Sequence, residues 1–165
     1  MVFPFAFDSA ISAPTGGQPG RQSEDIIRIS LQISPSIRID TVDNINLRIV
    51  DRSIDTNFTE ELCITGNFGG KYNVTAFGSN DNSDDFTLTN VEGGELIYFV
   101  GYRANLQSLQ YDELQPAQPS PTYDLIAEKT CSDQQSFKIT FKANDLSRVD
   151  SGLYTGQLTL LVAPL

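Results

Sequence analysis

The stretch that decides the fold reads Ile27-Arg28-Ile29-Ser30-Leu31-Gln32-Ile33-Ser34-Pro35-Ser36-Ile37-Arg38-Ile39-Asp40. Apolar and polar residues alternate up to Ile33, and the alternation resumes at Ile37. Because successive side chains of a strand point to opposite faces, each half predicts a β-strand with one buried and one solvated face. Pro35 has no N–H group and fixes φ at about −65°, so the halves are not expected to form one straight central strand. The first half is therefore a strand that the chain can deliver outside its own sheet.

Length and charge bound the class of protein. The chain has 165 residues, the length of one domain with room for a hydrophobic core. Lys and Arg number 11 against 21 Asp and Glu, giving a net charge of −10. That charge repels nucleic-acid phosphates and anionic lipid, so neither is expected as a partner. No apolar run approaches the roughly 18 residues of a membrane-spanning helix.

Short alternating segments separated by turn residues recur along the rest of the chain. Ile45–Ile49 alternates, Gly66–Gly70 is a turn, and Leu96–Tyr102 is apolar on both faces, as in a central strand. Phe137–Phe141 and Tyr154–Val162 follow. Eight or nine short strands are predicted in all, with no helix longer than one turn. This pattern predicts an all-β, immunoglobulin-like β-sandwich.

Motifs for catalysis are missing from the sequence. It contains no histidine, which excludes Ser-His-Asp and Cys-His arrangements and His-ligated metals. No phosphate-binding loop or dinucleotide motif occurs. Asp and Glu fall mainly in predicted loops, and no pair stands out for glycoside hydrolysis. We therefore expect no enzymatic activity and no cofactor.

One acidic loop has oxygen ligands at alternate positions, at Asp81, Ser83 and Asp85. It fits a calcium-binding loop weakly, because the glycine and the distal glutamate of such loops are missing. A solvated hairpin tip is the favoured interpretation, so no metal site is predicted.

Cys63 and Cys131 are the two cysteines. Their separation does not fit a catalytic or metal-binding C-x-x-C pair. Two interpretations are open: a long-range disulfide, favoured here, or two unrelated buried thiols. In the loop-entropy model a bridge across such a loop contributes roughly 4 kcal/mol, and it would indicate an oxidising compartment.

The first residues leave two interpretations open. Met1–Phe7 is apolar but short, lacks a basic leader and is interrupted by Pro4, while Ala10–Ala13 is rich in small residues. The stretch is either the remnant of a signal peptide or an extension of the mature protein.

The two ends of the chain resemble those of alpha-type (alternate) chaperone–usher fimbrial subunits, the group that includes colonisation-factor pilins. Residues 26–40 are similar to that family's donor strand, pivot proline and first core strand, in this order. Residues 152–165 look like its closing strand, with Gly152 where such subunits typically carry glycine. Leu62-Cys63-Ile64, Tyr72-Asn73-Val74 and Cys131 are similar to minor and tip pilin domains, and the position in the fibre stays open between major, minor and tip subunit.

The resemblance implies a specific organisation. Residues 1–25 would be a leader or signal remnant, 26–34 the donor strand, and 35–165 a sandwich that lacks its last strand. The missing strand would leave a groove that a neighbouring subunit's donor strand fills after a periplasmic chaperone has occupied it. The residues implied are a donor face, a pivot, a disulfide and a C-terminal strand at the groove: Ile27, Ile29, Leu31 and Ile33; Pro35; Cys63 and Cys131; Gly152, Tyr154, Leu158, Leu160 and Val162.

The partners implied are neighbouring pilin subunits, the periplasmic chaperone, the outer-membrane usher and a host or surface receptor. The protein would be exported to the periplasm and then displayed on a surface fimbria, supporting adhesion or biofilm formation. Three alternatives stay open. Residues 27–33 could form an ordinary edge strand, and the chain could be a self-complete carbohydrate-binding sandwich or a structural domain of a larger surface protein.

We predict a bridge between Cys63 and Cys131, because both flank predicted strands and the chain looks exported. Protein isolated from an oxidising compartment and alkylated without reductant should keep its intact mass, apart from the two hydrogens lost on oxidation. Two alkylated cysteines in that protein would favour the unpaired thiols.

Overall fold

The computed structural model describes residues 28–40, 44–79, 84–105, 108–125 and 135–165. The chain divides into two units, Met1–Ile33 and Ser34–Leu165. In the first unit, residues 28–33 form no regular secondary structure. Ile29, Leu31 and Ile33 are 90, 83 and 75 % exposed, and Ile27 lies outside the described residues. The strand predicted for 27–33 therefore makes no ladder of hydrogen bonds at 28–33 in the single chain. Alternation shows that a segment has an apolar face to bury, but it does not show which neighbour covers that face.

The second unit is a nearly all-β domain. Its elements in the described residues are nine strands and one helical turn: β1 Ile37–Asp40, β2 Thr56–Gly66, β3 Gly70–Phe77, β4 Phe86–Thr89, β5 Glu95–Arg103, β6 Asp112–Leu114, β7 Tyr123–Leu125, β8 Gln135–Phe141, α1 Ala143–Leu146 and β9 Thr159–Pro164. The all-β prediction is confirmed, as is the absence of any helix longer than one turn in this part of the chain.

The strands form two antiparallel sheets of unequal width. The larger has the order β1-β2-β8-β5-β4, with β6 also pairing with β5, and the smaller has the order β7-β3-β9. In the larger sheet β5 is central, as its two apolar faces predicted: it pairs with β8, with β4 along residues 95–98 and with β6 along residues 100–102. β1 is therefore one edge of the larger sheet, and β9 is one edge of the smaller.

Side chains from both sheets form one hydrophobic core. Leu62, Val100 and Phe137 of the larger sheet and Tyr72 and Val74 of the smaller are each at most 1 % exposed. Burying side chains of this size contributes about 1.5–3 kcal/mol each. The hydroxyl groups of Tyr72 and Tyr102, which meet inside the core, satisfy each other by a hydrogen bond of 2.8 Å. The core thus buries large aromatic rings without leaving these two polar atoms unpaired.

Four segments of the second unit differ from the sequence prediction. The strand predicted at Ile45–Ile49 is wrong for the single chain, since residues 44–50 belong to no strand. The strand predicted from Tyr154 begins only at Thr159, and Thr155 makes a single bridge to Thr89. The short strands β6 and β7 were not predicted. Alternation marks the first two correctly as segments with an apolar face, but a strand also needs a hydrogen-bonded neighbour.

Raising the pH should unfold the domain through its buried tyrosines. Burial raises the pKa of Tyr98 to about 12 and raises the pKa values of Tyr72, Tyr102 and Tyr123. A folded pKa above the unfolded value of about 10 contributes stability that is complete below pH ~10 and is lost as the pH rises further. We expect tyrosinate absorbance of these residues to rise together with loss of near-UV circular dichroism. Ionisation of all four in a domain that keeps its circular dichroism would contradict this expectation.

Candidate functional site

A groove of about 960 Å³ lies over the inner face of the larger sheet, beside the edge strand β9. The smaller sheet has three strands against six in the larger, so beside β9 no further described strand covers this face. The groove runs between two segments, which we call rim A (residues 44–50) and rim B (residues 152–158). Both rims are the segments where the sequence predicted strands that the single chain does not form.

The floor of the groove is apolar and belongs to the core. It is formed by inner-face side chains of β5 and β8 and by the helical turn: Leu96, Tyr98, Phe137, Ile139, Phe141 and Leu146. These residues are 1–7 % exposed. The Tyr98 ring lies between Phe86 and Phe141, with centroid distances of 5.6 and 5.9 Å. The floor is therefore closely packed and almost inaccessible to solvent, and the exposed surface of the groove belongs mainly to its rims.

Rim A presents alternate apolar residues to the groove. Ile45 and Ile49 are half-buried, and Leu47 is 42 % exposed. Rim A follows β1 after residues 41–43, which lie outside the described ranges, and it has no strand partner among the residues that the structure describes. Of these three apolar side chains, one is exposed. Such exposure is expected for an alternating segment that lacks a neighbouring strand.

Rim B carries most of the C-terminal residues implied by the family resemblance. Gly152, Tyr154, Leu158 and Leu160 line the groove, the last as part of β9. Val162 does not line it; Val162 pairs with Val74 of β3. Tyr154, Leu158, Leu160 and Val162 are all half-buried against the core. The groove thus brings four of these five residues to one wall.

Arg52 joins the two sides at one end of the groove. Its Nη1 donates to the Val149 carbonyl oxygen and its Nη2 to Ser151 Oγ, both at 2.7 Å. At the other end β1 and β9 are in contact. Charge-assisted hydrogen bonds of this kind are worth more than neutral ones, so Arg52 holds the beginning of rim B at a fixed distance from the end of rim A.

Gly156 fixes the path of rim B and was missed by the sequence analysis, which singled out Gly152. A Cβ atom at 156 would lie 2.7 Å from Leu88 Cδ2, 3.0 Å from Ser79 Oγ and 3.2 Å from the Thr87 carbonyl oxygen. The neighbouring Gln157 N–H donates to Ser79 Oγ at 2.5 Å. At Gly152 the nearest atom to such a Cβ is 4.0 Å away. Nothing in the sequence distinguishes the two glycines, because the close approach is made by residues distant in the chain.

Few charged side chains line the groove. They are Arg52, which is hydrogen-bonded to Val149 and Ser151 just before rim B, and Asp150. No group of three or more Cys, Asp or Glu within the described ranges could hold a metal ion. An apolar floor between rims that carry both apolar and polar side chains suits a segment with one apolar face and free backbone groups.

The remaining predicted residues lie elsewhere. Pro35 stands just before β1, in the stretch 34–36 without regular structure. Cys63 lies in β2, is 3 % exposed and is not a free thiol; Cys131 lies outside the described residues, so their pairing stays a prediction. Asp81 and Ser83 of the acidic loop also lie outside them. None of the described helices is long and apolar enough to cross a membrane.

No protein-family model matches the sequence, and no curated protein matches it significantly. Among solved structures, a chain from a chaperone–tip adhesin complex of CFA/I fimbriae biogenesis is similar, with a TM-score of 0.56 and 14 % identity over 78 % of this chain and 42 % of that one. Another comes from the CsuC–CsuE chaperone–tip adhesion subunit pre-assembly complex of the archaic chaperone–usher Csu pili of Acinetobacter baumannii. It has a TM-score of 0.45 and 15 % identity over 79 % of this chain and 40 % of that one.

The first likeness shows a fold in common with a chain from a chaperone–tip adhesin complex of CFA/I fimbriae, in agreement with the fold that the sequence resemblance predicted. The second likeness is too low to add to that argument. The present chain spans about two fifths of the length of the chains it matches.

Substituting Gly156 by Ala should destabilise the domain and distort rim B. The added Cβ must move the Thr87 backbone as well as a side chain, which costs typically about 1–3 kcal/mol. Denaturant unfolding of the variant should show this loss. Gly69→Ala is the matched control, since a Cβ at Gly69 meets no atom within 4 Å. Equal unfolding free energies for Gly156→Ala and Gly69→Ala would show that rim B is not held at Gly156.

Proposed function

We propose that this protein is a structural, non-enzymatic subunit of a surface pilus of the chaperone–usher type. Its groove accepts residues 27–33 of a second copy or of a related subunit, in a donor-strand exchange that supports adhesion or biofilm formation. The proposal is carried by two features that occur together in one chain. One is a groove beside an edge strand that no described strand fills, and the other is an alternating segment whose described residues 28–33 pair with no sheet.

The groove is long enough for a strand. Residues 44–49 and 152–160 contribute to its lining, and the alternating stretch 27–33 has seven residues. Seven residues in a strand span roughly 23 Å. A strand laid between the rims would give rim A a hydrogen-bonded neighbour and would extend the pairing of rim B, where Thr155 bridges to Thr89. Such pairing would account for the strand-like patterns of both segments in the sequence.

The groove and the segment also match in chemistry. Ile29, Leu31 and Ile33 are exposed apolar residues on one face, and Ile27 continues the pattern. Arg28, Ser30 and Gln32 would face solvent. Burying four such side chains contributes roughly 6–12 kcal/mol before the costs of ordering the segment. The backbone hydrogen bonds of the inserted strand add specificity, because they pair N–H and C=O groups that are otherwise unpaired at a sheet edge.

The partners follow from this assembly. Neighbouring subunits would exchange donor strands, a periplasmic chaperone would cover the groove before assembly, and an outer-membrane usher would export the fibre. A bridge between Cys63 and Cys131 would form in the same oxidising compartment. A host or surface receptor would bind the assembled pilus.

Replacing Leu31 with Asp in the full chain should abolish polymerisation, because it places an unpaired charge in an apolar groove. Ser30→Asp is the matched control: it adds the same charge one residue away, on the opposite face of the strand. Size-exclusion chromatography and electron microscopy of the refolded chains should show polymers for wild type and Ser30→Asp and none for Leu31→Asp. Equal polymerisation by both variants would contradict the proposed donor face.

A peptide spanning Asp25 to Ser34 provides the complementary test. It should raise the unfolding midpoint of a chain that begins at Ser36, and the peptide carrying Leu31→Asp should not. If the shortened chain is already fully stable and monomeric without peptide, the sandwich is self-complete. A carbohydrate-binding or other surface domain is then the better interpretation.

A further inference from the structure

One residue holds the chain on both sides of Pro35. The Ser36 N–H donates to Asn67 Oδ1 at 2.7 Å, and Asn67 Nδ2 donates to the Ser34 carbonyl oxygen at 3.0 Å. The Asn67 N–H donates to the Ser36 carbonyl oxygen at 3.1 Å. Asn67 lies in the turn between β2 and β3, far in sequence from Pro35. Three hydrogen bonds therefore tie this turn to the stretch Ser34–Ser36.

The orientation of the Asn67 amide is fixed by its partners. A backbone N–H can only donate, so the atom facing Ser36 N must be the amide oxygen. A carbonyl oxygen can only accept, so the atom facing Ser34 must be the amide nitrogen. Asn is the side chain of this size that supplies both an acceptor and a donor, which is why Asp and Ala are informative replacements.

The turn is also shaped to receive this stretch. A Cβ atom at Gly66 would lie 2.9 Å from the Ser36 carbonyl oxygen and 2.7 Å from Leu125 Cδ2. The missing side chain therefore lets Ser36 approach β2 closely at the start of β1, where Ile37 pairs with Gly66. Pro35 removes one more degree of freedom by fixing its own φ. Two independent features thus act on this stretch: the close approach holds Ser36, and the hydrogen bonds of Asn67 hold Ser34 and Ser36 on either side of Pro35.

We propose that Asn67 is a positioning residue for the donor segment. It holds the backbone before and after Pro35 in one conformation, so that the segment 27–33 follows on a stretch, Ser34–Ser36, that does not rotate freely. Fixing this stretch lowers the ordering cost of inserting the segment into another subunit. Because Ser34–Ser36 would connect adjacent subunits in the fibre, its rigidity also sets how easily the fibre bends between them. The inference rests on the proposed function, since it takes residues 27–33 as the inserted segment.

The test compares Asn67→Ala and Asn67→Asp in the full chain, with Asn144→Ala on the exposed surface of α1 as the matched control. The first readout is amide hydrogen exchange of Ser36. Losing the acceptor should speed this exchange by roughly five- to tenfold in Asn67→Ala. Asn67→Asp keeps an acceptor and should retain the protection, whereas the control should match wild type. Unfolding midpoints should stay alike, because the Asn67 backbone bond and the β1–β2 ladder remain.

The second readout is the bending of fibres assembled from the full chain by refolding, measured by electron microscopy. Both Asn67 variants lose the donor to Ser34, so both should form fibres that bend more than wild-type and Asn144→Ala fibres. Unchanged Ser36 exchange in Asn67→Ala, or faster exchange with unchanged fibre bending, would overturn the positioning role. Failure of wild type itself to form fibres would instead contradict the proposed function, while the exchange measurement would still report on the Asn67 contacts.

Discussion

The structure depends on an imbalance between its two sheets. Six strands form one layer and three form the other, so the narrower layer ends at β9 while the inner face of the wider one continues beneath a groove. A sheet edge exposes unpaired backbone groups, and natural proteins cover or interrupt such edges. Here β9 and rim A border the open part of this face. The location of the groove, the half-buried apolar side chains of its rims and the absence of a ladder along residues 44–50 are all consistent with that imbalance.

The rims of the groove are held by contacts with neighbouring segments of the chain. Arg52 connects the end of rim A to the residues just before rim B. Thr155 exchanges two backbone hydrogen bonds of 2.9 Å with Thr89 of β4, and Gly156 lies against Thr87 and Leu88. These contacts tie the rims to β4 and to the loop before β2. A binding site whose walls are fixed in advance loses less free energy on ordering when a strand enters.

The turn between β2 and β3 is also held by specific contacts. The turn between β2 and β3 uses Gly66 to admit the backbone of Ser36 and Asn67 to bond it on both sides of Pro35. The chain is thereby ordered up to Ser34, and the exposed apolar residues begin immediately before it, at Ile33. The change from anchored backbone to exposed alternating segment takes place within two residues. In the proposed assembly, this sharp boundary separates the part of the chain that stays with its own domain from the part that is given to a neighbour.

The sequence by itself determined the all-β class, the central position of β5, the turn at Gly66–Gly70 and the break at Pro35. These depend on local patterns: alternation, two-sided apolar runs, and the backbone limits of glycine and proline. It also marked rim A and rim B as segments with an apolar face. Only the tertiary structure decided that these two segments border one groove and lack a ladder, because pairing depends on which strands lie next to each other. The importance of Gly156 over Gly152, and of Arg52 and Asn67, was likewise hidden in the sequence. Each acts through contacts with residues far along the chain, and such contacts leave no periodic trace in a single sequence.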